Sequence, residues 1–98
     1  MKTNPAFLHL NLHRKYFAQI AAGIKRIEYR DRKPYWRRRL EGRRYDAVQF
    51  RNGYATKAPE MQVEFLRVRR IRKAGRAKYA IRLGRILKIK GWRTGHEF

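Results

Sequence analysis

Phe7-Leu8-His9-Leu10-Asn11-Leu12 alternates apolar and polar side chains, with three leucines on one parity, and so predicts a strand. From His13 the period lengthens. Tyr16, Phe17, Ile20, Ala21 and Ile24 recur at helical spacing, and Gly23 suits the left-handed residue that closes a helix; residues 13–22 are therefore predicted helical. Arg26 to Arg30 reads as a second strand, with Ile27 and Tyr29 inward and Arg26, Glu28 and Arg30 sharing the opposite face. Pro34 then opens a short helix to Glu41, stopped by Gly42. Trp36 and Leu40, four apart, anchor it and leave Arg37, Arg38 and Arg39 in solvent.

Asp46 to Phe50 is a third strand, followed by the turn signal Asn52-Gly53. Pro59 makes 54–60 a loop. Met61 to Arg72 is a long strand with a phase slip: Val63 and Phe65 lie on one parity, Leu66 and Val68 on the other, which implies a bulge. After the turn Lys73-Ala74-Gly75-Arg76, Tyr79, Ile81 and Leu83 alternate up to Gly84, and Ile86 to Ile89 reads as a further edge segment. The predicted class is α+β: a small curled sheet or barrel of five or six strands, one main helix and one short helix. Residues 1–90 form a single domain and 91–98 a tail.

Composition narrows the functional classes. The chain has 98 residues, 43% of them hydrophobic, too apolar for a disordered basic tail. Lys and Arg number 27 against 7 Asp and Glu, a formal net charge of +20. Such density points to a polyanionic partner, with lysines and arginines displacing counterions from phosphates. There is no cysteine, hence no disulfide, thiolate metal site or cysteine nucleophile. No segment reads as a signal peptide, a spanning helix or a basic amphipathic membrane helix, so the expected location is the cytoplasm. His9, His13 and His96 do not form a metal-ligand pattern, and no glycine-rich dinucleotide or phosphate loop is present; neither metal nor cofactor is expected.

Gly23-Ile24-Lys25-Arg26-Ile27-Glu28-Tyr29-Arg30 mixes both charge signs in the spacing Gly-x-Lys-x-x-Glu-x-Arg at the helix-to-strand junction. Lys25 can bind a phosphate, polarise a carbonyl or act as a base, and Arg30 can clamp a phosphate or carboxylate through two parallel hydrogen bonds. Glu28, between Arg26 and Arg30, suits hydrogen-bond acceptance from an exocyclic amine; an ordinary salt bridge is the competing reading.

This octapeptide resembles the signature of the ASCH domain family of the PUA-like superfamily. Leu8-His9-Leu10, Tyr16-Phe17, Tyr35-Trp36, Tyr45-Asp46, Phe50-Arg51-Asn52-Gly53-Tyr54 and Tyr79-Ala80-Ile81-Arg82-Leu83-Gly84 resemble its compact bacterial and phage members, over residues 6–87. The resemblance implies a PUA-like β-barrel with a cleft beside the first helix, and recognition of RNA or modified nucleosides. Some members of the family hydrolyse N4-acylated cytidines and others are described as ribonucleases. In the small amidohydrolases a lysine matching Lys25 works with a threonine three residues later and a more distant glutamate. Here Glu28 occupies the threonine position, and Glu60 and Glu64 are the nearest candidates for the glutamate. A carboxylate among arginines does not replace a hydroxyl nucleophile.

The expected ligand residues are thus Lys25, Glu28, Arg30, Tyr35, Asn52 and Tyr54, the tyrosines for stacking and Asn52 for a base edge. Lys25 and Glu28 would carry any catalysis. From Phe65 to His96 twelve lysines and arginines occur without one acid. Of these, Arg67, Arg69, Arg70, Arg72, Lys73, Arg76, Lys78 and Arg82 are expected to track a phosphate backbone. The expected partner is a nucleic acid, RNA in preference to DNA, or a modified nucleoside. Binding without turnover is the first reading; a nuclease or nucleoside amidohydrolase using the same cleft is the alternative.

Overall fold

A computed structural model describes residues 4–92. Its elements, in chain order, are β1 (Phe7–Asn11), α1 (Arg14–Ala21), β2 (Ile27–Asp31), α2 (Pro34–Leu40), β3 (Ala47–Arg51), β4 (Glu60–Lys73) and β5 (Arg76–Lys90). The five strands form one curled half-barrel sheet in the order β1-β3-β4-β5-β2. Only β1 and β3 run parallel; the other pairs are antiparallel. The alternation read from the sequence explains the core. Leu8 and Leu10 stand opposite Val48 and Phe50, and these pack with Met61, Val63 and Ile81, while α1 contributes Phe17 and Ile20 to the same cluster.

Both helix ends are built as their residues dictate. Gly23 takes φ +77°, and the amides of Ile24 and Lys25 turn back to donate to the Gln19 carbonyl at 2.9 and 3.1 Å. The chain thus leaves α1 sharply, and Lys25 is tied to the helix's last turn. Pro34 fills the first turn of α2, where its missing amide costs nothing.

Two strand expectations change. Ile86 to Ile89 is not a separate edge segment: β5 runs unbroken through Gly84 to Lys90. In β2 the inward residue is Glu28, 6% exposed, and Ile27 and Tyr29 lie on the outer face. Pairing decides this, because β2 aligns Glu28 with the core residue Ile81 and Ile27 with the exposed Arg82. Trp92, assigned from sequence to the tail, packs on Phe17 with ring centroids 5.1 Å apart; 93–98 lie outside the described residues.

The bulge foreseen in β4 is present, with register breaks between Gln62 and Arg67. Gly84 makes it possible. Glu64 folds its carboxylate over the β5 backbone, Oε1 accepting from the Arg85 amide at 2.8 Å, and this hydrogen bond holds its carboxyl below the usual carboxylate range. A Cβ on residue 84 would stand 2.6 Å from Glu64 Oε1 and 2.9 Å from Glu64 Cβ. Because Cβ cannot swing aside without the strand, Gly84→Ala is expected to cost about 1–3 kcal/mol in denaturant unfolding. An unchanged midpoint would contradict this account of the bulge.

Candidate functional site

Glu28 is the centre of the Gly23–Arg30 segment in space. Its Oε1 faces Lys25 Nζ at 3.4 Å, and its Oε2 accepts from Arg30 Nη2 at 2.9 Å and Nε at 3.0 Å. Helical spacing does not apply here; the sharp exit from α1 brings Lys25 back over β2. Lys25 also lies over the rings of Tyr16 and Tyr29, 5.4 and 5.5 Å from their centroids. Arg30 reaches further. Its Nη2 donates to the Asn11 carbonyl at 3.1 Å and its guanidinium stacks over Trp36 at 5.0 Å. Arg30 therefore links β2 to β1, the two edge strands of the half-barrel, and closes the seam between them.

The expected ligand residues divide into separate groups. Arg30, Tyr35 and Tyr54 border one cleft of about 430 Å³, together with Trp36, Gln49 and Arg51. Lys25 borders a different depression of about 330 Å³, between the end of α1 and the β5 segment around Gly84. Glu28 is buried in its ion pairs. Asn52 holds the loop: its side chain donates to the Leu12 carbonyl at 3.0 Å and its amide to Pro59 at 3.0 Å.

The two tyrosines are positioned by different means. Tyr54 is 88% exposed, yet its loop is pinned, since the Asn11 side chain bonds both the amide and the carbonyl of Gly53, at 3.0 and 2.9 Å. Tyr35, 50% exposed, packs edge-on against Trp36 with centroids 4.8 Å apart and carries Arg39 over its ring at 3.6 Å.

Cross-strand register assembles residues that a linear reading misses. His9, Gln49, Gln62 and Lys88 form one rung across β1, β3, β4 and β5, and Asn11, Arg51, Glu60 and Lys90 the next. Both rungs lie on the face opposite the core. They form a second concavity of about 490 Å³, which shares His9, Gln49 and Arg51 with the tyrosine cleft. Glu60 is held there by Gln49 Nε2 at 2.9 Å and by Arg51 Nε at 3.5 Å. The signal available in the sequence was parity: Gln49 stands between the core residues Val48 and Phe50, and Gln62 between Met61 and Val63.

The basic run also splits by parity. Arg67, Arg69, Lys73, Arg76, Lys78 and Arg82 occupy the outer face of the β4–β5 hairpin, beside Tyr29, over whose ring Lys73 lies at 4.6 Å. Lys78 is neutralised by Asp31 at 2.5 Å, and this contact holds the Asp31 carboxyl low. Arg72 is spent on the turn, donating to Gly75 at 2.9 Å. Arg70 has the core-facing parity of Tyr79, its partner across the ladder. Among the described residues, Arg67, Arg69, Arg70, Arg76 and Arg82 make no ion pair.

Among the described residues, no three His, Asp or Glu side chains are grouped to hold a metal, and no helix is long and apolar enough to cross a membrane. No protein-family model, curated protein or solved structure matches the chain.

Proposed function

We propose that this protein is an RNA-binding module of the ASCH, PUA-like kind, holding a single strand along the outer face of its sheet. One observation carries the reading: Tyr54 and Tyr35, both exposed, border a cleft continuous with two rungs of amide, imidazole and cationic side chains. Aromatic faces stack bases of any identity, and amide side chains can donate to and accept from base edges. The arginines of the adjoining hairpin supply phosphate contacts without reading sequence. Unstacked RNA bases suit such a surface better than a duplex, whose base faces are hidden. Cytoplasmic location belongs to the same proposal.

The hydrolase alternative has less support. Lys25 is engaged by Glu28 and two tyrosine rings, and it borders a different depression from the tyrosines. Glu60 and Glu64 are each committed to neighbouring side chains or backbone. A carboxylate fixed between two cations is a structural clasp, not a nucleophile.

Tyr54→Ala and Tyr35→Ala are each expected to weaken binding of a short single-stranded RNA by about 1–3 kcal/mol, or roughly 5- to 150-fold. Fluorescence anisotropy at fixed salt reads this directly, with the matching DNA expected to bind less tightly. Unchanged affinity in both variants would overturn the cleft as a base site. RNA or acylated cytidine turned over by the wild type but not by Lys25→Ala would replace binding with catalysis.

A further inference from the structure

A concavity of about 620 Å³ lies away from the tyrosine cleft, between the end of α2, the loop that follows it, and the β4–β5 ladder. Its volume is within the ~300–1,000 Å³ usual for small-ligand sites. Arg43 and Arg44 line it from the loop and Arg70 from β4, on the parity of Val68 and Tyr79, so arginines of two chain segments meet at one hollow; Arg69 also borders it, but its side chain has the outer-face parity. All four residues are exposed and none makes an ion pair among the described residues. The single acid in the lining, Glu41, accepts a hydrogen bond from the Tyr79 hydroxyl. Burial, reinforced by Glu41, pushes the Tyr79 phenol up from 10.0, so the hydroxyl keeps its proton at neutral pH and continues to occupy the carboxylate. Counting Arg43, Arg44 and Arg70 against Glu41, three arginines and one carboxylate leave a formal charge of two positive in the free protein. Adjacent like charges raise the free energy of the empty site and favour an anion that bridges them.

The charge and shape select the kind of anion. A phosphodiester carries one negative charge and continues on both sides, which suits the open outer face where Arg67 and Arg82 stand. A phosphomonoester carries roughly 1.5–2 negative charges and three acceptor oxygens, and ends the chain. Guanidinium forks from separate segments can each take two of those oxygens. Such an ending fits a hollow walled by α2 and the ladder.

We propose that the hollow bordered by Arg43, Arg44 and Arg70 binds a phosphomonoester, the terminal phosphate of a nucleic-acid strand or of a mononucleotide. The strand form of this assignment rests on the nucleic-acid reading above. The test compares one short single-stranded RNA bearing a 5′-phosphate, a 3′-phosphate or only hydroxyl ends, alongside a nucleoside monophosphate, its nucleoside and inorganic phosphate. One phosphorylated end is expected to bind about tenfold tighter than the hydroxyl-ended strand, as charge-assisted hydrogen bonds would give. In the Arg43→Ala/Arg44→Ala double variant that ratio should fall to near unity. Both side chains are solvent-facing, and an unfolding curve confirms that the variant is folded. Equal binding of all strands by the wild type, or a preference that survives the double variant, overturns the proposal. If no strand binds, the nucleic-acid reading fails and the monophosphate arm decides. Nucleotide binding lost in the double variant then keeps the phosphate site, and its absence removes it. Inorganic phosphate competing as well as the nucleotide would show that the phosphoryl group alone is recognised.

Discussion

Glu28→Ala is expected to destabilise the fold by about 3 kcal/mol, lowering the folded-to-unfolded ratio roughly 100-fold. The reason is the imbalance left behind. Lys25 and Arg30 have side chains only 16% and 19% exposed, and Glu28 is the acid facing both. Without it, two poorly hydrated cations confront each other and Arg30 loses the partner that orients it. Arg30 is also the link to the Asn11 carbonyl and the cation over Trp36, so the seam between the edge strands loosens as well. Denaturant unfolding measures the loss. Glu28→Gln separates its causes, because it keeps an acceptor of the same shape for Arg30 and removes only the charge; an intermediate loss is expected. A double-mutant cycle with Arg30→Leu should show strong coupling between residues 28 and 30. Unchanged stability with RNA binding abolished would return Glu28 to the role its spacing first suggested, an acceptor for a base amine.

Glu28 also shows why the sequence disclosed some of this architecture and withheld the rest. Signals carried by neighbouring residues were legible. Gly23 after a helical period ended α1, Pro34 opened α2, and the shift of parity between Phe65 and Leu66 announced the bulge. The face of β2 was not legible, because the rule that apolar residues point inward compares Ile27 and Tyr29 with Glu28 in isolation. An edge strand takes its facing from its partner, and the partner places Ile81 opposite Glu28. Burial of that carboxylate is tolerable only because Lys25 and Arg30 meet it. The octapeptide itself contained both cations, but not their convergence.

The candidate site divided for a related reason. Lys25 and Arg30, five residues apart, touch opposite oxygens of Glu28 and border different hollows. The rung His9–Gln49–Gln62–Lys88 draws on four strands, so no window of sequence contains it. Gly84 misled in the opposite direction. It reads as a strand terminator, yet here it supplies the space that the Glu64 side chain needs, and β5 continues past it.

Affinity for single-stranded RNA is expected to fall about 300-fold between 50 and 200 mM monovalent salt, assuming about six phosphates neutralised and a slope near −0.7 per phosphate. The outer face carries the cations for this. Arg67, Arg69, Lys73, Arg76 and Arg82 lie on the β4–β5 hairpin, and Lys88 and Lys90 extend the series along β5. Arg67 and Arg82 are direct cross-strand partners, and on their other side Arg82 pairs with Ile27, so no acid completes the row. Like charges placed opposite each other cost a sheet about 0.2–1 kcal/mol. Arg82→Ala should therefore have opposite effects on its two readouts. It should leave the free protein as stable as the wild type or slightly more so, while reducing the salt slope by about 0.7 and weakening binding at low salt. The same substitution at a merely solvated position would leave the slope unaltered. An affinity indifferent to salt would dismiss the outer face as a phosphate surface, and a stability loss in Arg82→Ala would mean that this rung is structural. The expected pairing, a steeper dependence on salt bought at the expense of a strained rung, distinguishes a surface shaped for a polyanion from one that is only highly charged.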